Sequence, residues 1–134
     1  YQTVKGMVGA AGILEDGGDL IIASECSEGL GSPEYVAAQR RYIELGPSGF
    51  LDEIAQKSHS DIDAWQTHMQ TRPQVRVDIS LYSSGLSADD EALTGVTAIR
   101  SVETAIRESL ERHGDNRIAV IPEGPYVVPY VDAG

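Results

Sequence analysis

Asp19-Leu-Ile-Ile-Ala-Ser24 is a short apolar run fenced by turn formers, Gly17-Gly18 before it and Cys26-Ser-Glu-Gly-Leu-Gly-Ser32 after it. A strand that is apolar on both faces belongs in a sheet covered on both sides, which is the habit of parallel sheets. Upstream, Val4, Met7, Val8, Ala11 and Leu14 fall at helical spacing. Gly6, Gly9 and Gly12 each weaken an interior helix by up to ~1 kcal/mol relative to Ala, so their regular spacing points to close approach by another backbone. The helical pattern is already under way at Tyr1, with no initiator Met and no targeting stretch. A piece of a larger protein is expected.

Downstream, helices and strands alternate. Ser32 caps a helix that starts at Pro33, buries Tyr35, Val36 and Tyr42 or Ile43, and ends near Gly46. Pro47 or Ser48 restarts a second helix through Phe50, Leu51, Ile54 and Ala55. Ser60 or Asp61 caps a third, with Ile62, Trp65 and Met69 at four- and three-residue spacing and Arg72-Pro73 as its end. Gln74 to Tyr82 alternates at period two, a second strand. Ser87 opens a short helix through Leu93, and Thr97–Ile99 reads as a brief third strand. Ser101 caps a helix with Val102, Ala105, Ile106 and Leu110 inward, closed by Gly114. Arg117–Ile121 reads as a fourth strand, and the proline-rich Pro122–Pro129 as a surface tail. The pattern predicts an α/β fold: a three-layer αβα, Rossmann-like domain around a small, mostly parallel sheet of about four strands, in order 3-2-1-4.

With 134 residues, the chain suits a single domain, 1–134, with one core. The 21 acidic against 10 basic residues give a net charge of −11, which argues against a nucleic-acid partner. No apolar run approaches the ~20 residues of a membrane span. The lone Cys26 suits a reducing, cytoplasmic setting.

No complete catalytic constellation is visible. His59, His68 and His113 lack metal-ligand spacing and read as surface residues. Cys26 follows the first strand, but Glu25 and Glu28 beside it should disfavour its thiolate. The Ser27-to-Pro33 loop sits where a phosphate cradle would, yet it lacks the GxGxxG register and any Lys, so a tight strand-to-helix turn is expected. Gln66 and Gln70 read as ordinary for a solvated helix, and Trp65 fits either a core or a pocket wall. Gln2 and Lys5, three apart, share a helix face and can present an amide and an ammonium to an anion.

Tyr-Gln-x-Val-Lys-Gly-Met at 1–7, Gly-Gly-Asp-Leu-Ile-Ile at 17–22, Ser-x-Gly-x-Gly at 27–31, Asp63-Ala-Trp-Gln66 and Ile-Pro-Glu-Gly-Pro-Tyr at 121–126 together resemble the carboxy-terminal domain of the nickel-dependent lactate racemase family. The resemblance implies a larger two-domain enzyme that racemises or epimerises α-hydroxy acids. Hydride moves to and from a nickel-pincer nucleotide held, with the nickel ligand and the acid/base histidines, by an amino-terminal domain. It implies that Gln2 and Lys5 reach the substrate carboxylate and cofactor across the cleft, and that Tyr1 and Trp65 line the pocket. With no counterpart of the amino-terminal domain, the chain alone is expected to be inactive and to hold neither cofactor nor metal. The competing expectation is a non-catalytic Rossmann-like module holding a metabolite or nucleotide in the Cys26-to-Ser32 loop. A third is a purely structural domain.

Overall fold

Each strand is entered from a turn and left toward a helix, and that alternation builds a parallel sheet. The computed structural model describes residues 1–59 and 61–131. Helix α1 (Thr3–Ala10) leads through a short 3-10 turn to β1 (Asp19–Ala23), followed by α2 (Pro33–Gln56) and α3 (Ala64–Gln74). Then come β2 (Asp78–Tyr82), α4 (Ala88–Leu93), β3 (Thr97–Ile99) and α5 (Val102–His113). The strands lie in the order β1-β2-β3 and all pair parallel, with Leu20 opposite Ile79, Ile22 opposite Leu81 and Ser80 opposite Thr97.

Alternation along the strands divides the core. Leu20, Ile22 and Ile79 turn to one face and pack with Val4, Met7 and Val8 of α1, Met69 of α3 and Val77. The other face carries Asp19, whose carboxylate meets Arg112 and His113 at the end of α5. Helices therefore cover both faces, as the fold class requires. Local chemistry sets the helix starts: the Ser32 and Ser101 hydroxyls accept from Tyr35 N and Thr104 N, and Ser87 with Asp90 forms a reciprocal capping box. The expected break at Gly46-Pro47 is a kink, Gly46 having φ +70°, that divides α2 into two helical segments.

Three expectations need correction. Arg117–Ile121 is not a strand, so the described sheet has three strands, and Ile118 and Val120 are exposed. Asp115 Oδ1 accepts the Arg117 backbone N–H at 3.0 Å, a local turn that takes a donor a ladder would need. Second, α3 runs through Pro73 to Gln74, and β2 starts only at Asp78. Gln74 is held in the helical turn by Tyr42 Oη, which donates to its Oε1, and by its own Nε2, which donates to Gly95 O. Third, α3 begins at Ala64 after Asp63, which takes a left-handed φ of 63°, leaving Ile62 exposed before the helix. Ser60, the alternative cap, lies outside the described residues.

The tail does run over the surface. Its 3-10 turn, Gly124–Tyr126, packs on α1. A Cβ on Gly9 would stand 3.1 Å from Gly124 O and 3.5 Å from Val127 O. This is the close backbone approach expected of the spaced glycines, but only Gly9 shows it: a Cβ on Gly6 or Gly12 would meet nothing within 4 Å among the described residues.

Candidate functional site

The loops after β1 and the start of α3 converge on the first residue of the chain. Tyr1 N donates to Leu30 O at 2.9 Å, and Gln66 Nε2 donates to Tyr1 O at 2.9 Å. The Tyr1 ring stands edge-on to Tyr35, with centroids 5.3 Å apart, and to Trp65 at 6.1 Å, the geometry that aromatic quadrupoles favour. Desolvation first, then the charge and hydrogen bond of the Asp63 carboxylate, push the Tyr1 phenol above its ordinary pKa. Asp63 also accepts from Ser32 Oγ at 2.5 Å, tying the α3 cap to the α2 cap.

This clamp fixes the turn that carries Gln2 and Lys5. Both side chains are exposed, and Lys5 enters none of the ion pairs among the described residues. Trp65, 49% exposed, offers part of its indole to solvent and part to Tyr1. It is therefore half-open and not a core residue beside Ile62. The four residues singled out from the sequence form two pairs: Tyr1 and Trp65 touch, while Gln2 and Lys5 stand free on the turn that Tyr1 begins.

Beneath the aromatic cluster lies a polar core. Gln39 Nε2 donates to Tyr35 Oη at 2.9 Å and to Gln70 Oε1 at 3.1 Å, and Gln70 Nε2 donates to Thr94 O at 2.6 Å. Burial pushes the Tyr35 phenol well up. A cavity of about 30 Å³, lined by Thr3, Cys26, Tyr35 and Gln39 among others, has the volume of about one water. It is too small for a metabolite.

Cys26 corrects a further expectation. It takes φ 52° and sits among the hydroxyls of Thr3 and Ser24, at 3.6 and 3.4 Å. Burial raises its thiol pKa, but hydrogen bonds with Ser24, Thr3 and Ser83, together with the positive amino group of Tyr1, leave it below the ordinary value. Its neighbours Glu25 and Glu28 do not decide the direction. The glycine-rich loop closes onto Tyr1 through the Leu30 carbonyl, and a Cβ on Gly31 would meet Tyr1 Cβ at 3.0 Å. It is the tight turn expected, with Tyr1 packed directly against it. His59, His68 and His113 are exposed. Among the described residues no three His, Cys, Asp or Glu side chains gather as a metal site would require.

A much larger concavity than the one beneath the aromatic cluster, about 600 Å³, lies elsewhere, between the two segments of α2 and the approach to α3. Its charged rim is already paired, Arg41 with Glu53 and Lys57 with Asp61. It brings none of the four candidate residues together, so size does not make it the site.

The model of the lactate racemase C-terminal domain matches residues 1–128. The chain belongs to the lactate racemase family. Within the family, the lactate racemase of Thermoanaerobacterium thermosaccharolyticum is 24% identical over 132 residues, which cover 96% of this chain and 30% of that protein. The lactate racemase apoprotein structure from the same organism shares the fold at TM-score 0.76 and 23% identity, over 93% of this chain and 30% of that one. The chain thus spans about 30% of the length of the curated relative it matches.

Three residues of this domain escaped sequence reasoning. Gln66, read as part of a solvated helix, is 1% exposed and grips Tyr1. Asp63 serves as a left-handed lead into α3 and as neighbour to the Tyr1 hydroxyl. Gln70, also read as solvated, is buried in the amide network. The available signal was the spacing of Gln66, Thr67, Gln70 and Thr71, a single helix face composed of polar residues, which a search for apolar periodicity passes over.

Proposed function

We propose that this domain forms one wall of an interdomain active site, in a parent enzyme that racemises or epimerises an α-hydroxy acid by hydride transfer to and from a nickel-pincer nucleotide. That nucleotide, when bound, is the hydride acceptor and donor. The amino-terminal domain of the same polypeptide holds it, together with the nickel ligand and the acid/base histidines. This chain's residues suit the opposite wall. The Lys5 ammonium and Gln2 amide are free to pair with a carboxylate or a phosphate oxygen, and a charge-assisted bond of this kind fixes orientation as well as affinity. Tyr1 and Trp65 present aromatic surface that keeps water from the α-carbon while hydride is in transit. Lys5 acts as a positioning cation and not as the base. The isolated domain accordingly neither turns over lactate nor retains the cofactor, and the single Cys26 fits a cytoplasmic parent. None of the described helices is long and apolar enough to cross a membrane.

The observation that carries this reading is the contrast within one turn. Tyr1 is fixed by hydrogen bonds at its backbone N and O and by two aromatic contacts, while the side chains of the neighbouring Gln2 and Lys5 have no partner among the described residues. A turn held so firmly in order to display an amide and a cation is a prepared half-site. The binding-module reading draws no comparable support, since Tyr1 packs directly against its loop.

The test is Lys5→Ala in the full-length parent. Loss of one charged positioning donor should cost about 2 to 4 kcal/mol in kcat/KM, roughly 30- to 900-fold. A folded variant with unchanged turnover would refute the assignment.

A further inference from the structure

The segment after the tail's 3-10 turn leaves apolar side chains in water. The backbone at Val127 is extended, with φ −123° and ψ 153°. From Tyr126 to Tyr130 exposure alternates, 88% at Tyr126, 38% at Val127, 85% at Val128 and 85% at Tyr130, with Pro129 half-buried between the last two; Val131, at 72%, ends the alternation. The inward side rests on α1, where Gly124 O and Val127 O approach Gly9. The outward side is a stripe of two tyrosines and a valine at period two. From Gly124 to Val131 there is no charged residue, in a chain of net charge −11. Scattered apolar residues on a surface need no explanation, but a contiguous uncharged stripe rich in tyrosine has the make-up of an interface centre.

Its position identifies what covers it. Gln2, Lys5 and Gly9 follow one another at three- and four-residue spacing, so they share a face of α1. The tail crosses that face at Gly9, one turn from Lys5. Whatever closes over Lys5 therefore also reaches the tail. The matched region is only 30% of the curated relative, so most of the parent's length is available as the occupant.

We infer that Tyr126, Val128 and Tyr130 form a docking stripe on which the amino-terminal part of the parent polypeptide seats, continuous with the Lys5 face. This rests on the interdomain reading of the site, and it adds the residues that hold the two parts together.

The test is hydroxyl-radical footprinting of the full-length wild-type parent, with oxidation at Tyr126 and Tyr130 compared with the denatured protein over a range of protein concentrations. Burial in an interface predicts that both tyrosines oxidise about tenfold more slowly in the native parent, independently of concentration. Tyrosines as reactive as in the denatured chain would overturn the inference. Protection that appears only as concentration rises would overturn it too, by making a second copy the occupant. As a second readout, Tyr126→Ser with Val128→Ser should make the parent more susceptible to proteolysis at the domain junction, with α1 still protected from hydrogen exchange. Unchanged susceptibility would count against the stripe. Footprinting does not depend on turnover: protected tyrosines in a parent unaffected by Lys5→Ala would sink the catalytic reading and leave the interface standing.

Discussion

The two faces of the sheet are finished to different degrees. On the α1 side Val4, Met7, Ile79 and Leu81 are all nearly sealed from solvent, and a buried amide network joins α2, α3 and the turn after α4. On the α5 side no residue of the helix is fully buried, and its end is anchored by Arg112 and His113 on the Asp19 carboxylate. Burial is thus concentrated behind the turn that displays Gln2 and Lys5. That is where the proposed interdomain cleft needs rigidity, because a loosely held donor loses much of its effect on a transition state.

The strongest way to break this comparison is a matched pair of truncations. Ile79→Ala, in the sealed face, should cost about 2 to 5 kcal/mol, whereas Ile106→Ala on half-buried α5 should cost about 1 kcal/mol or less. Denaturant unfolding measures both, and equal losses would show that the faces do not differ. A smaller effect sharpens the link between packing and site. Gln66→Leu removes the donor to the Tyr1 carbonyl and should cost about 1 kcal/mol, because the change also removes a Gln66 oxygen that has no hydrogen-bond partner. In the parent it should lower kcat/KM as well, since Lys5 loses its fixed turn, whereas unaltered kinetics would mean that the clamp has no bearing on the site.

The smallest effect is electrostatic and belongs to the α5 face. Burial raises the Asp19 pKa, but Ser109, Arg112 and His113 outweigh it and hold the carboxyl below its ordinary 3.8. A folded-state pKa below the unfolded one means that the contribution is present above about pH 4 and is lost as the pH falls through the folded value. Asp19→Asn should therefore flatten the acid side of the stability profile while leaving the profile near neutrality parallel to wild type. A variant with the wild-type acid slope would remove Asp19 from the account.

Where local chemistry decides, the sequence was readable. β1 announced itself as an apolar run between glycines, and Ser32, Ser87 and Ser101 each cap the helix assigned to them. The failures were non-local or polar. Arg117–Ile121 has strand-like residues, but whether they pair depends on a sheet edge far away in sequence, and the Asp115 turn intervenes. Helix α3 buries Gln66, Thr67, Gln70 and Thr71, so its inward face carries no apolar period, and Trp65 was drawn toward the wrong neighbours. At the site, helical spacing alone put Gln2 and Lys5 on one face. That Tyr1 and Trp65 belong together came from the family resemblance, and no periodicity spans the 65 positions between Tyr1 and Gln66.

The most direct measurement is a crystal structure of the full-length parent with an α-hydroxy acid bound. The account predicts Lys5 Nζ within about 2.7 to 3.2 Å of a ligand carboxylate or cofactor phosphate oxygen, with the Trp65 indole against the same cleft. Lys5 projecting into bulk solvent, with the acid bound elsewhere, would contradict it.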